Sequence, residues 1–271
     1  MPEGDTVFRA AYRLHAALAD KTLVRSDFRI PSLATKDLSG GRIDRVRAAG
    51  KHLFVDLTGD GGRALSIHSH LMMDGAWHVY RPGQKWRRPG HRARVVLRTA
   101  DTEAVGFDLG VLQLTADPAG VVAHLGPDLL GAQWDPAVAA ANLAAAPECP
   151  LGPALLDQRL LAGIGNIYSN ELCFIAGVHP ATPVSAAGDL DRLVDIAHRL
   201  LTQNALRTVR VTTGDRRRGR ELWVYGREHR PCRRCSTIVR RSAITIPPVT
   251  TDRVIFYCPS CQPARTVSPS F

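Results

Sequence analysis

Cys232-Arg233-Arg234-Cys235 and Cys258-Pro259-Ser260-Cys261 are two C-x2-C knuckles separated by the 22 residues 236–257. Two close pairs of thiolates suit a tetrahedral metal, and zinc is the ion such sets hold. Four cysteines leave no open coordination position, so one structural zinc per chain is expected rather than a catalytic one. The spacer carries apolar runs at 237–239, 243–246 and 254–257 and reads as a β-hairpin. The C-terminal part is therefore a small ribbon whose folding depends on metal. Cys149 and Cys173 stand outside this set, as a loop thiol and a helix-core residue.

Arg216-Arg217-Arg218 with Arg220, upstream of the ribbon, is the densest charge run. Such runs are usually solvated or disordered, and this one can add general affinity for a polyanion. From about residue 130 the composition shifts to Ala and Leu, and 135–146, 152–162, 167–176 and 190–205 read as helices. Gly163-Ile164-Gly165-Asn166 lies between the second and third. Two glycines permit a tight turn, and the next helix starts at or just after Asn166. Its exposed N–H groups fit a phosphate, and they fit equally a plain helical hairpin with an Asn cap. Gly126-Pro127-Asp128 breaks the preceding pattern, which places a domain boundary at 117–130.

Residues 22–115 read as short strands broken by glycine, among them 42–46, 52–57, 64–67 and 93–97, the pattern of a sandwich or barrel. Gly50-Lys51 falls at a hairpin turn, with Lys51 at its mouth. The loop 81–92 interleaves Lys85, Arg87 and Arg88 with Trp86, which fits backbone contacts plus stacking on a nucleic acid as well as it fits a solvated loop. At the N-terminus, Asp5 or Thr6 can cap a helix whose buried stripe is Val7, Ala11, Leu14 and Leu18. Such a helix fixes Pro2-Glu3 in place. Once Met1 is removed, Pro2 offers a secondary amine that attacks an aldehyde-like carbon and gives a cationic iminium. Glu3 is the adjacent carboxyl that can shuttle protons.

The chain has 271 residues, 45% of them hydrophobic, enough for one large or two modest domains with real cores. Its formal charge of +10 and pI of about 9.8 favour a polyanionic partner, most simply nucleic acid. No long apolar run and no basic amphipathic helix suggest a membrane. No apolar segment marks a signal peptide, so an intracellular, reducing location is expected, where six cysteines mean metal or spare thiols.

Three separated motifs then line up: Pro2-Glu3-Gly4, the run Gly163-Ile164-Gly165-Asn166-Ile167-Tyr168-Ser169-Asn170-Glu171, and the C-x2-C ribbon. With Val224-Tyr225-Gly226-Arg227-Glu228 leading into Cys232, they resemble the formamidopyrimidine-DNA glycosylase and endonuclease VIII family across essentially the whole chain. The resemblance implies an α+β multidomain fold: an N-terminal β-sandwich with flanking helices (1–116), a linker (117–130), a helix-two-turns-helix DNA-binding domain (131–226), a zinc-ribbon finger (227–265) and a tail (266–271). DNA would lie across a cleft, with the damaged nucleotide flipped out. Pro2 would attack C1′, the base would leave, and β- or β,δ-elimination would cut the strand.

Residue roles follow the motifs. Pro2 matches the nucleophile and Glu3 the acid/base that helps open the sugar. Lys51 matches a lysine that contacts phosphate and assists catalysis. Asn166 and Arg253, five residues before Cys258, match two phosphate grips. Met73 matches an apolar side chain that fills the vacated stack, against the alternative of an ordinary core methionine. Cys232, Cys235, Cys258 and Cys261 match the zinc ligands.

The departures are informative. Pro2-Glu3-Gly4-Asp5-Thr6 is similar to the endonuclease VIII branch. Asp108-Leu109-Gly110 stands where the purine branch carries Arg-Phe-Gly, whose arginine reads the cytosine opposite the lesion. Oxidised pyrimidines, weak opposite-base preference and activity on single strands besides damaged duplex DNA are therefore expected of a monomer. Asp108 is expected to repel nearby phosphate. The rival readings are a non-catalytic DNA binder of the same fold and an oxidised-purine glycosylase, with a zinc-ribbon RNA binder as a remote third.

Overall fold

The computed structural model describes residues 2–246 and 249–263; Met1 and the tail expected at 266–271 lie outside the described residues. The chain divides into two compact units, Met1–His124 and Leu125–Phe271.

The first unit opens with α1 (Gly4–Leu18), whose residues Val7, Ala11, Leu14 and Leu18 are all buried, as their spacing requires. The helix begins earlier than Asp5 or Thr6 as cap would allow. Glu3 is the N-cap, in extended backbone, and its carbonyl accepts from Thr6 N and Val7 N at 2.9 and 3.0 Å. Asp5 instead turns its carboxylate onto the Thr6 N–H at 2.6 Å.

Eight strands follow: β1 (Arg25–Phe28), β2 (Arg42–Ala49), β3 (His52–Thr58), β4 (Ala64–His70), β5 (Ala76–Tyr80), β6 (Ala93–Arg98), β7 (Glu103–Phe107) and β8 (Val111–Thr115). They form two antiparallel sheets, in orders β2-β3-β4-β8 and β1-β6-β7-β5. Inward side chains of both sheets (Ile43, Leu53, Val55 and Ile67 from one, Phe28, Val95 and Leu97 from the other) share one core with the α1 stripe. Burying each such side chain is worth about 1.5–3 kcal/mol. That core holds the start of α1 rigidly. The outer face of the second sheet carries a separate cluster of Tyr80, Val96, Val105 and Phe107, on which Trp86 packs. Trp86 donates to Glu103 Oε1 at 2.7 Å and lies 5.2 Å beneath the Arg29 guanidinium, so this aromatic supports its loop and is not presented for stacking on a base.

The second unit contains α3 (Pro136–Ala144), α4 (Leu151–Leu156), α5 (Asn166–Ala176) and α6 (Leu190–Asn204); a short α2 (Pro118–Val122) precedes it. Of the expected linker residues, Leu129 is fully buried in the helical core. The helix expected over 152–162 stops at Leu156. Asp157 takes the Arg159 N–H at 3.0 Å and its guanidinium as well, and Gln158 bonds Leu156 O, Ile164 O and Gly163 N. Side chains that satisfy the backbone locally compete with a continuing helix. The ribbon hairpin is β9 (Arg240–Ile246) with β10 (Val249–Tyr257), in the register Arg253↔Ile244 and Tyr257↔Arg240. Residues 237–239 are not a strand; Ile238 makes an isolated bridge to Pro231.

Candidate active site and nucleic-acid interface

Two residues ahead of α1, Pro2 lines an open pocket of about 460 Å³ together with Thr6, Met73, Asp74, Arg88 and Arg92. Glu3, beside it, is fully buried. An amine at this place is held by a helix start that the sandwich core fixes.

Asp108 does not confront an incoming anion bare. It sits in the left-handed region (φ 50), and its two oxygens accept from Arg88 Nη1 and Arg92 Nε, each at 2.8 Å. Burial opposes its ionisation, but these guanidiniums outweigh that and hold its carboxyl below the usual range. The expected repulsion of phosphate is therefore corrected: the Asp108 charge is matched by two arginines, which line the pocket together with Asp74. Nothing near Asp108 in sequence signals this, because the partners come from the loop after β5.

Lys51 occupies the two-residue turn between β2 and β3, where Gly50 supplies φ 56 at the first position. It stands among histidines of the same sheet. His52 Nδ1 lies 2.8 Å from His68 Nε2, and the His70 and His124 rings are within 6 Å of His52. His68 Nδ1 is buried and unpartnered. The shared proton thus belongs on His68 Nε2, since a stranded lone pair costs less than a stranded N–H. Burial, with neighbouring positive charge second, pushes both His52 and His68 down to about 4. Burial and then Lys51 lower His70. His52, His68 and His70 are therefore neutral beside Lys51 at neutral pH.

Met73 is 61% exposed, on the turn between β4 and β5, so it is no core methionine; Met72 beside it is 54% exposed. Gly75 closes the turn by donating to Leu71 O at 2.8 Å, and a Cβ there would lie 2.4 Å from that oxygen. Sequence reading missed Met72, whose exposure depends on its φ of 50.

In the second unit, Asn166 is the first residue of α5 and Gly165 its cap, so Asn166 is not a capping asparagine. Its Nδ2 donates to Val254 O at 3.0 Å, which places it beside Arg253, itself exposed on β10. These two expected phosphate grips come together from 87 positions apart (253 − 166). One turn on, Asn170 accepts the Phe256 N–H at 2.6 Å and donates to Asn166 O at 2.7 Å. Glu171 is wholly buried and accepts from Thr212 Oγ1 and from the N–H groups of Trp223, Val224 and Tyr225. Burial pushes its carboxyl up while those four donors oppose it. Asn170 and Glu171 lay in a motif the sequence made visible, but their supporting roles did not.

The sulfurs of Cys232, Cys235, Cys258 and Cys261 all lie within 4.8 Å of one another and can hold a metal ion. The close pairs are 3.4, 3.4 and 3.9 Å apart. A tetrahedron with metal–sulfur bonds of about 2.3 Å has edges of about 3.8 Å, so the donor set fits zinc geometrically. Gln262, fully buried, braces the last knuckle by accepting Cys258 N and donating to Val178 O, both at 2.9 Å. Cys173 is buried in the helical core with its thiol pushed up to about 12 by burial.

Among the described residues, no helix is long and apolar enough to cross a membrane. Two family models match the chain: the formamidopyrimidine-DNA glycosylase N-terminal domain over residues 1–108 and the formamidopyrimidine-DNA glycosylase H2TH domain over residues 125–214. The chain is 52% identical to a DNA-(apurinic or apyrimidinic site) lyase Nei2 of Mycolicibacterium smegmatis, across 97% of this chain and 100% of that one. It is 50% identical to a probable endonuclease 8 2 of Streptomyces coelicolor, across 99% and 96%. Among solved structures, Lactococcus lactis Fpg in complex with abasic-site DNA is similar in fold, with TM-score 0.77 and 21% identity over 97% of this chain and 100% of that chain.

Proposed function

The chain belongs to the formamidopyrimidine-DNA glycosylase family, and we propose on that footing that it is a DNA glycosylase and abasic-site lyase of base-excision repair working through the amine of Pro2. The observation that carries this is the placement of Pro2 at a core-anchored helix start, on a pocket, with Glu3 buried next to it.

The Pro2 nitrogen bonds to C1′ as the base leaves. Ring opening, with a proton delivered to O4′ by Glu3, gives the iminium. The iminium makes the 2′ proton acidic, and its loss expels the 3′ phosphate by β-elimination; the δ step follows in the β,δ course. Lys51, at its hairpin turn, grips the phosphate beside the reacting sugar, next to the neutral His52, His68 and His70. Asn166 and Arg253 hold further phosphates from α5 and β10. Met73 reaches into the stack the nucleotide vacates. Zinc at the four cysteines supplies structure alone, fixing the hairpin that carries Arg253. The substrate is damaged duplex DNA, with oxidised pyrimidines favoured and single strands accepted, and the protein acts as a monomer where the chromosome is. Asp108, in place of the arginine typical of the purine branch, supports that preference.

Borohydride trapping tests the reading. Processed protein is incubated with abasic-site DNA and reduced, with Pro2→Ala alongside. A covalent adduct mapping to the N-terminal peptide is expected. No adduct from Met1-free protein that still binds DNA tightly would favour a non-catalytic binder instead.

A further inference from the structure

Asp108 fixes two guanidiniums and uses only part of each. Arg88 Nη1 is engaged by Asp108 Oδ2 and Asp74 O, both at 2.8 Å, and Arg92 is engaged through Nε alone. Both amino groups of Arg92 and the second of Arg88 make no hydrogen bond to the described residues. Their side chains are 42% and 29% exposed, and both line the same pocket as Pro2. A surface arginine that merely adds affinity for a polyanion needs no such anchoring. Two planar donors held in one orientation suit a group of defined shape rather than a diffuse charge.

We propose that Arg88 and Arg92, positioned by Asp108, bind the departing base and stabilise the negative charge it develops at the exocyclic oxygens of an oxidised pyrimidine. This rests on the Pro2 chemistry above and adds to it the group that answers the leaving base. As the Pro2 lone pair forms its bond to C1′, the C1′–N1 bond breaks and its pair stays on the base. The charge spreads from N1 onto O2 and O4, both hydrogen-bond acceptors. The proton on the attacking Pro2 nitrogen is lost and one is taken up by the base, so no outside reagent is needed. Donors set in advance towards the place where charge develops lower that barrier. They do nothing comparable for elimination at a preformed abasic site, where no base is present. Asp108 is a positioning residue that touches the base only through its two partners.

The experiment compares two single-turnover rates in one sequence context: excision of 5-hydroxyuracil from duplex DNA, and strand cleavage at a preformed abasic site. Wild type, Arg92→Gln, Arg88→Gln and Asp108→Asn are measured at saturating protein. The ratio of excision to cleavage is expected to fall about tenfold or more in each arginine variant, and in the same direction for Asp108→Asn. Borohydride trapping on abasic DNA shows that each variant is folded and that the Pro2 reading stands. Equal losses at both substrates, with a shallower salt dependence of binding, would make the arginines phosphate grips and overturn the proposal. An unchanged ratio would overturn it too. Loss of the wild-type adduct itself would instead defeat the Pro2 reading.

Discussion

Asn170→Ala isolates the join between α5 and the ribbon hairpin. Asn170 is 1% exposed, and its Oδ1 is the acceptor for the buried Phe256 N–H. Removing it strands that donor, at about 1–3 kcal/mol, and leaves a small cavity worth about 1 kcal/mol more. The bond from Nδ2 to Asn166 O is lost as well. A local cost of about 2–4 kcal/mol should raise the opening of β10 about thirtyfold or more, since 1.4 kcal/mol is tenfold. Hydrogen exchange of the Phe256 amide reads this directly, and DNA affinity should fall with it, because Arg253 lies three residues earlier on the same strand. If the alanine variant exchanges at the wild-type rate, the side chain does not fasten the hairpin and the account of Arg253 placement is wrong.

Lys51→Ala should reduce strand cleavage about a hundredfold while weakening DNA binding less than tenfold; equal losses would reduce Lys51 to a phosphate contact. Cys232→Ser should abolish stoichiometric zinc and weaken DNA binding, and retained metal by elemental analysis would refute the ligand set. Glu171→Leu removes the shared acceptor of Thr212 Oγ1 and of three backbone N–H groups, so about 4 kcal/mol or more should be lost and the melting temperature should drop by about 10 °C; a drop under 2 °C would contradict the burial of that network. His52 and His68 protonate near 4 when folded and near 6.5 when unfolded. The unfolded chain therefore binds more protons between those values, so stability is full above about 6.5 and falls on acidification, by about 1 kcal/mol per histidine at pH 5 after allowance for partial solvation. Thermal melts at pH 7 and 5 measure it, and His68→Gln should roughly halve the slope.

The parts of this molecule that sequence makes legible are those whose chemistry is local. The stripe Val7, Ala11, Leu14, Leu18 states its helix, Gly50-Lys51 states its turn, and two C-x2-C knuckles state a tetrahedral site. Asn166 and Arg253 were reachable only through family resemblance, because their proximity comes from a hairpin folding back on α5. The early end of α4 was not legible, since its apolar spacing continues and only the bonds of Asp157 and Gln158 stop it. Asp108 was misread as a repelling charge for the same reason. A carboxylate's effect depends on its partners, and Arg88 and Arg92 lie on another loop.

The bonds from Asn166, Asn170 and Gln262 have a consequence for recombination. The ribbon looks like a portable cassette, bounded by its cysteines. Yet β10 is stitched to α5 by two asparagines a turn apart, and the last knuckle is stitched to Val178 just past the end of that helix. A graft cut at residue 227 would leave these stitches behind and deliver a hairpin that keeps its four cysteines but is misaligned. The smallest heritable piece is α5 together with the ribbon, so changes at 166 and 170 should be tolerated in step with changes on β10 and poorly one at a time.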